Sequence, residues 1–184
     1  MEQIDLYDKN RQPLHQTIER GKVLPADTYR AVVHICIFNT KGEMLIQQRQ
    51  STKALLPDKW DISAGGQVSA GETSSAAADR EVIEELGLHL DIASQRPKLT
   101  MNFEDGFDDV YLLTKDISPD ELVLQPEEVQ NARFAGLDTV LQMIAEGSFV
   151  PYHETYIRLL FAMQNLDGTF DEEKVWSEKL PDSQ

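Results

Sequence analysis

Residues 66–88 read GQVSAGETSSAAADREVIEELGL, and the spacing inside this stretch decides the fold. Gly66 is followed after five residues by Glu72. Seven residues later come Arg80 and Glu81, then the aliphatic Val82, then Glu84 and Glu85, and last Gly87 and Leu88. Thr73 suits an N-cap, Ser74 to Ala78 open a helix, and Gly87 ends it in a left-handed cap. At about 100° per residue, Glu81, Glu84 and Glu85 fall within an arc of roughly 100°. Ala78, Val82, Ile83 and Leu86 take the other side and suit burial against a sheet. Three carboxylates thus project from a helix anchored at its back. Their mutual repulsion, several tenths of a kcal/mol per pair, is relieved by a hard divalent cation. Oxygen ligands of this kind suit Mg²⁺ or Mn²⁺. An E-x-x-E-E run alone is more often a solvated helix face. The placement of Gly66, Glu72, Arg80 and Gly87 reverses that reading.

The pattern resembles the Nudix box, G-x5-E-x7-R-E-U-x-E-E-x-G-U with U aliphatic, and all nine specified positions are met. An accidental match in a chain of this length is on the order of 10⁻⁸ at ordinary residue frequencies. The resemblance implies an α+β protein with the Nudix fold: an α/β/α sandwich around a mixed central sheet. It also implies a metal-dependent pyrophosphohydrolase using Mg²⁺ or Mn²⁺. Glu84 and Glu85 would be the main metal ligands, and Glu81 a further ligand or the base for the attacking water. Arg80 would hold these carboxylates in place. Gly66 would let backbone pass close to metal and phosphates. The base in this family often comes from a loop outside the box, where Glu127 and Glu128 are the candidates, with Asp109 as another. Arg49 and Lys53, and also Lys59, suit substrate phosphates. His34 and His153 are expected to be structural or exposed.

The chain has 184 residues, a net charge of −15, 41% hydrophobic and 27% charged residues, which fits one globular domain over residues 1–184. The acidic balance argues against a nucleic acid polymer as partner and leaves room for a small phosphorylated substrate met by metal ions. Cys36, the single cysteine, excludes an intrachain disulfide and fits a reducing, cytoplasmic setting. The start, MEQIDLYDKN, carries no apolar run of the kind a signal peptide needs. No stretch approaches a membrane span of about 20 apolar residues. A homodimer is compatible with the family resemblance.

Read along the chain, residues 1–20 form an N-terminal β-hairpin, with Ile4–Tyr7 and Leu14–Ile18 flanking Asp8-Lys9-Asn10. Strands are expected at Ala31–Phe38, Met44–Arg49, Asp61–Ser63, Leu99–Phe103, Val110–Thr114 and Ala132–Leu137. Glu104–Asp109 reads as a solvated acidic turn. Amphipathic helices are expected at Leu137–Glu146 and His153–Gln164, with a loose acidic tail over residues 166–184.

Outside the box, IDLYDKN…IERG, VVHICIFNTKGEMLIQQR and LPDKWDISAGG look like the branch of the family that contains isopentenyl-diphosphate isomerases. Isomerisation is therefore the rival expectation, with a non-catalytic nucleotide-binding module as a third. The isomerase pattern asks for a cysteine where this chain has Gly65, and for histidines at Gln67 and Arg30. Its two later acids fall on Phe107 and Asp109, so at most one persists. These departures favour hydrolysis. Cys36 lies within the Ala31–Phe38 strand and reads as a small core residue.

Overall fold

The computed structural model describes residues 2–166 and residue 168. The tail expected over 166–184 lies outside the described residues apart from Leu166 and Gly168. The organising strand is β3 (Arg30–Phe38), after the hairpin of β1 (Gln3–Tyr7) and β2 (Pro13–Glu19). The remaining strands are β4 (Met44–Arg49), β5 (Trp60–Asp61), β6 (Ala64–Gln67), β7 (Leu99–Phe103), β8 (Gly106–Thr114) and β9 (Val129–Ala135). The helices are α1 (Ser74–Leu86), α2 (Leu137–Ala145) and α3 (Glu154–Met163).

Every side chain of β3 has an assigned face, because strand side chains alternate. Ala31, Val33, Ile35 and Ile37 bury with Ala77, Ala78, Val82 and Leu86 of α1. Cys36 and Phe38 bury on the opposite face with Val140, Leu141, Ile157 and Leu160 of α2 and α3. Each fully buried aliphatic chain contributes about 1.5–3 kcal/mol, so the two clusters hold helices on both faces of one sheet. This is the α/β/α sandwich the box implied, with the N-terminal hairpin as a separate two-stranded sheet.

The sheet is mixed, and it splays. Strand β3 runs parallel to β8 from Arg30↔Gly106 to Phe38↔Thr114, and β7 folds antiparallel onto β8. On its other side β3 meets β4 only at Phe38↔Met44. Strand β6 then takes the place of β4, antiparallel from Ile35↔Ala64 to Val32↔Gln67. Strand β4 diverges to pair with β9 and β5. Ser63 fills the fork: its Oγ accepts from Ile37 N at 2.8 Å and donates to Leu45 O at 2.5 Å. The fork opens the ground on which the functional cleft sits.

Three expectations are corrected here. In place of a strand at Asp61–Ser63 there are two, β5 ending at Asp61 and β6 beginning at Ala64, and β6 carries Gly65 and Gly66. The acidic turn is also shorter, since β8 begins at Gly106. Asp108 and Asp109 are buried rather than solvated, at 8% and 1% exposure. Desolvation of two carboxylates is offset by long-range partners. Asp108 Oδ2 lies 2.8 Å from His34 Nδ1. Asp109 receives Arg11 Nη1 at 2.8 Å, a second contact from Arg11 Nη2, and the Thr100 hydroxyl at 2.6 Å. Strand β9 also begins three residues earlier than expected, at Val129. The hairpin is thereby tied to the sheet by a forked ion pair, and by Tyr7–Tyr29 backbone bonds of 2.8 and 2.9 Å.

Burial alone would raise the pKa of Asp109, but Arg11, Ser74 and Thr100 outweigh it and hold the group below its ordinary value. Arg11→Ala leaves this carboxylate buried without its cation. The expected loss is about 3 kcal/mol at pH 7, measured by denaturant unfolding. Because the folded pKa is lowered, the pair's contribution is present above the unfolded value near 3.9 and fades as pH falls through the folded one. The gap between wild type and variant therefore narrows with acidification, and a gap unchanged down to pH 2 contradicts the assignment.

Candidate metal and active site

Helix α1 presents the site. Thr73 caps it as expected, its Oγ1 accepting from Ala76 N at 3.2 Å, and Gly87 closes it in the left-handed conformation at φ 69°. Its apolar back lies on β3 and β6, which forces Glu81 and Glu85 close to the sheet. Both are buried, at 7% exposure each, whereas the Glu84 side chain is half exposed. Burial pushes the Glu81 carboxyl up, with Arg80 opposing and Glu84 adding to the rise. Burial and then the neighbouring Glu81 push Glu85 up to about 8, against a hydrogen bond from Gln47. Gln47 Nε2 donates to Glu85 Oε2 at 2.8 Å.

Arg80 is the hub. Its Nε and Nη2 each donate to Glu72 at 3.0 Å, and Nη2 also donates to the Gln67 carbonyl at 3.0 Å. Its Nη1 donates to Glu81 Oε1 at 2.7 Å and Glu84 Oε2 at 3.1 Å. The planar fork of a guanidinium allows this many fixed contacts, where a lysine ammonium does not. The seven-residue gap from Glu72 to Arg80 thus spans the distance from the loop to the first turns of α1.

Gly66 sits directly against Glu81. A Cβ built on Gly66 lies 2.1 Å from Glu81 Oε1 and 2.3 Å from Cδ. Any side chain there displaces the carboxylate. A Cβ on the adjacent Gly65 meets His34 Cδ2 at 2.8 Å and the Val33 carbonyl at 2.9 Å.

Glu81, Glu84 and Glu85 line a cleft of about 340 Å³ with Arg80, Lys53, Arg49 and Glu128. Of the two loop acids, Glu128 lies in the cleft, ion-paired with Lys53 Nζ. Glu127 is exposed and does not line it. Asp109 is elsewhere, locked under the hairpin. Arg49 reaches the cleft but donates to Leu55 and Leu56 carbonyls at 3.1 and 3.2 Å and lies 3.3 Å from Asp61 Oδ2. Lys59 bonds the Gly147 carbonyl outside the cleft. His153 is exposed at the start of α3. Cys36 is fully buried in the core, and burial pushes its thiol well up.

Sequence reading missed Glu2 and Arg20, which the hairpin brings to the cleft, with Arg20 Nη1 2.7 Å from Glu2 Oε2. His34, expected to be structural or exposed, and Asp108, expected in a solvated turn, instead line an adjoining cavity. No local pattern marks these four, because strand pairing and hairpin docking bring them in from distant parts of the chain.

Among the described residues, no three His, Cys, Asp or Glu side chains are gathered closely enough to enclose an ion. The residues still fit a hard cation held the way Mg²⁺ is commonly held, by one or two carboxylates with substrate phosphates and waters completing the shell. The donors are oxygens, two are buried beside one another, and Gly66 leaves the space in front of Glu81 clear.

Comparison with known proteins places the chain in a family. The family model for the NUDIX domain matches residues 28–160. An uncharacterized Nudix hydrolase of Listeria monocytogenes is 43% identical over 165 residues, covering 90% of this chain and 96% of that protein. A crystal structure from Deinococcus radiodurans superposes with a TM-score of 0.72 at 27% identity, covering 86% of this chain and 99% of the other. An isopentenyl-diphosphate Delta-isomerase of Citrobacter koseri is 27% identical over 165 residues, covering 82% and 87% of the two chains. The chain belongs to the Nudix hydrolase family, and it is an enzyme of that family with a distant likeness to the isomerase branch. Nudix hydrolases generally use divalent metal ions. Among the described residues no helix is long and apolar enough to cross a membrane.

Gly66→Ala tests the close approach. The clash is with the end of a side chain, so folding is expected to survive. Manganese affinity, measured by calorimetric titration, should fall about 10–100-fold, as when a metal site loses its supporting contacts. Wild-type affinity in a folded variant contradicts the placement of Glu81.

Proposed function

We propose that this chain hydrolyses, with Mg²⁺ or Mn²⁺, a pyrophosphate bond in a nucleoside diphosphate linked to another moiety, or in a similar small diphosphate. The observation that carries this reading is the buried pair Glu81 and Glu85, held by Arg80 and Gln47, with the side-chain-free backbone of Gly66 pressed against Glu81. A bound divalent cation supplies charge neutralisation at the diphosphate oxygens and acidifies water.

The residues divide the remaining work. Glu81, Glu84 and Glu85 are the ligands, with Glu84 and Glu85 the main ones. Arg80 fixes Glu81 and Glu84, and Gln47 fixes Glu85. Arg20, Arg49 and Lys53 put cations on the cleft wall, where substrate phosphates carry their charge. Glu128 is the general base: it faces the cleft and accepts the proton of the attacking water. Its ion pair with Lys53 holds the carboxylate on the cleft wall.

Isomerisation is the weaker reading. Gly65 offers no proton donor at the position where the isomerase pattern has cysteine, and His34 and the Val33 carbonyl crowd the place a side chain would take. A screen of nucleotide sugars, dinucleotides, nucleoside triphosphates and prenyl diphosphates with Mg²⁺ and Mn²⁺, with phosphate products identified, tests the hydrolase reading. Dimethylallyl diphosphate formed from isopentenyl diphosphate at a catalytic rate overturns it.

Four substitutions follow. Glu84→Gln and Glu85→Gln each lower turnover by at least about 100-fold with folding retained. Glu128→Ala lowers it by about 10²–10⁴-fold. That deficit shrinks at high pH, where hydroxide competes with the missing base, while Glu127→Ala stays close to wild type. A crippled Glu127 variant beside an active Glu128 variant contradicts the choice of base.

A further inference from the structure

The loop that joins Gly66 to Glu72 is held largely by the N-terminal hairpin. Val68 N donates to the Ala31 carbonyl of β3 at 3.1 Å, and Ser69 N to Glu72 Oε2 at 3.1 Å. The next two backbone donors go to β1. Ala70 N donates to the Gln3 carbonyl at 2.8 Å, and Gly71 N to Asp5 Oδ2 at 2.7 Å. The Ser69 hydroxyl adds a third tie, donating to Glu2 Oε1 at 3.1 Å. Packing does not hold this part of the loop. Ala70 and Gly71 are exposed, and a Cβ built on Gly71 meets nothing within 4 Å.

The hairpin is itself well anchored. Strand side chains alternate, so Ile4 and Leu6 of β1 are buried while Asp5 between them turns to the loop. Just past the hairpin turn, Arg11 is forked onto Asp109. The loop ends in Glu72, whose two oxygens accept from Nε and Nη2 of Arg80. Through the same guanidinium the contacts reach Glu81 and Glu84. Three carboxylates on one cation leave negative charge in excess, and like charges repel. The loop carrying Glu72 is therefore pushed away from the acidic face of α1 and needs an anchor. An Arg80 released from Glu72 is free to move further onto Glu81 and Glu84, where it competes with a metal ion for the same oxygens.

We propose that Asp5 is a positioning residue for these carboxylates. By fixing Gly71 it fixes Glu72, and by fixing Glu72 it keeps Arg80 from closing over the oxygens a cation needs. The inference rests on the metal-site reading above and extends it to the hairpin, which lies outside residues 28–160 matched by the family model.

The test is the Mn²⁺ affinity of the unliganded full chain, measured by calorimetric titration for Asp5→Ala, Asp5→Asn and Asp8→Ala. Asp5→Ala should weaken binding about ten-fold, the lower end of the range for loss of an outer contact. Asp5→Asn keeps an acceptor oxygen for Gly71 N and should stay within about two-fold of wild type. The Asp8 carboxylate accepts from Asn10 and Gln12 in the hairpin's own turn, so Asp8→Ala loosens the hairpin without touching the loop. Both alanine variants should lose about 2–4 °C in melting temperature, and only Asp5→Ala should lose affinity. Wild-type affinity in Asp5→Ala, an equal loss in Asp8→Ala, or no recovery in Asp5→Asn overturns the proposal and leaves the metal site standing. If Glu84→Gln and Glu85→Gln bind Mn²⁺ as tightly as wild type, the metal reading itself falls and takes this inference with it.

Discussion

Two carboxylates on one helix, Glu81 and Glu85, are driven into the sheet by the same apolar face that folds the protein. Val82 and Leu86 cannot bury without carrying their acidic neighbours inward. Buried like charges are costly unless paired and hydrogen-bonded, and the surrounding structure is organised to bear that cost. Arg80 gathers Glu72, Glu81, Glu84 and the Gln67 carbonyl on one guanidinium. Gln47 reaches from β4 to Glu85. The backbone at Gly66 comes close enough to Glu81 that no side chain fits between them. On the proposed reading, a divalent cation and a substrate phosphate would complete the shell around these oxygens.

The splayed sheet turns this local strain into a two-part site. Because β4 leaves β3 after one paired residue and β6 takes over, helix α1 stands above β6, and the sheet face beneath is free to form a cavity. The acidic cleft and the adjoining cavity meet at Gly65. The N-terminal hairpin, outside the span matched by the family, contributes Glu2 and Arg20 to the cleft wall. Its anchoring by Arg11 and Asp109 is therefore as much a condition of the site as the helix is.

Much of this was legible in the sequence, and what was not has physical reasons. Helix α1 announced itself through Thr73, the alanines and Gly87, signals that are local and chemically specific. Strand β3 was equally plain, since its apolar residues fill both faces. Strand β6 was not, because Ala-Gly-Gly-Gln carries no β-branched or aromatic residue. It is a strand because its backbone pairs with β3, and Gly65 and Gly66 are glycines because His34 and Glu81 leave no room for a Cβ. The acids of β8 looked like a solvated turn because their partners, His34 and Arg11, lie 74 and 98 residues away in sequence. Reading Glu127 and Glu128 as a pair was the limit of what spacing allows, and only the path of the chain into β9 separates them.

The likeness to isopentenyl-diphosphate isomerases sharpens the central question of where a cation binds. The helix face of Glu81, Glu84 and Glu85 and the cavity holding His34 and Asp108 are neighbours, and either offers ligands to a transition metal. An anomalous difference map from crystals soaked in Mn²⁺ decides between them. A peak is expected in front of α1, with oxygens of at least two of Glu81, Glu84 and Glu85 within about 2.0–2.6 Å. A peak ligated instead by His34 and Asp108, with the helix face empty at the same Mn²⁺ concentration, contradicts it.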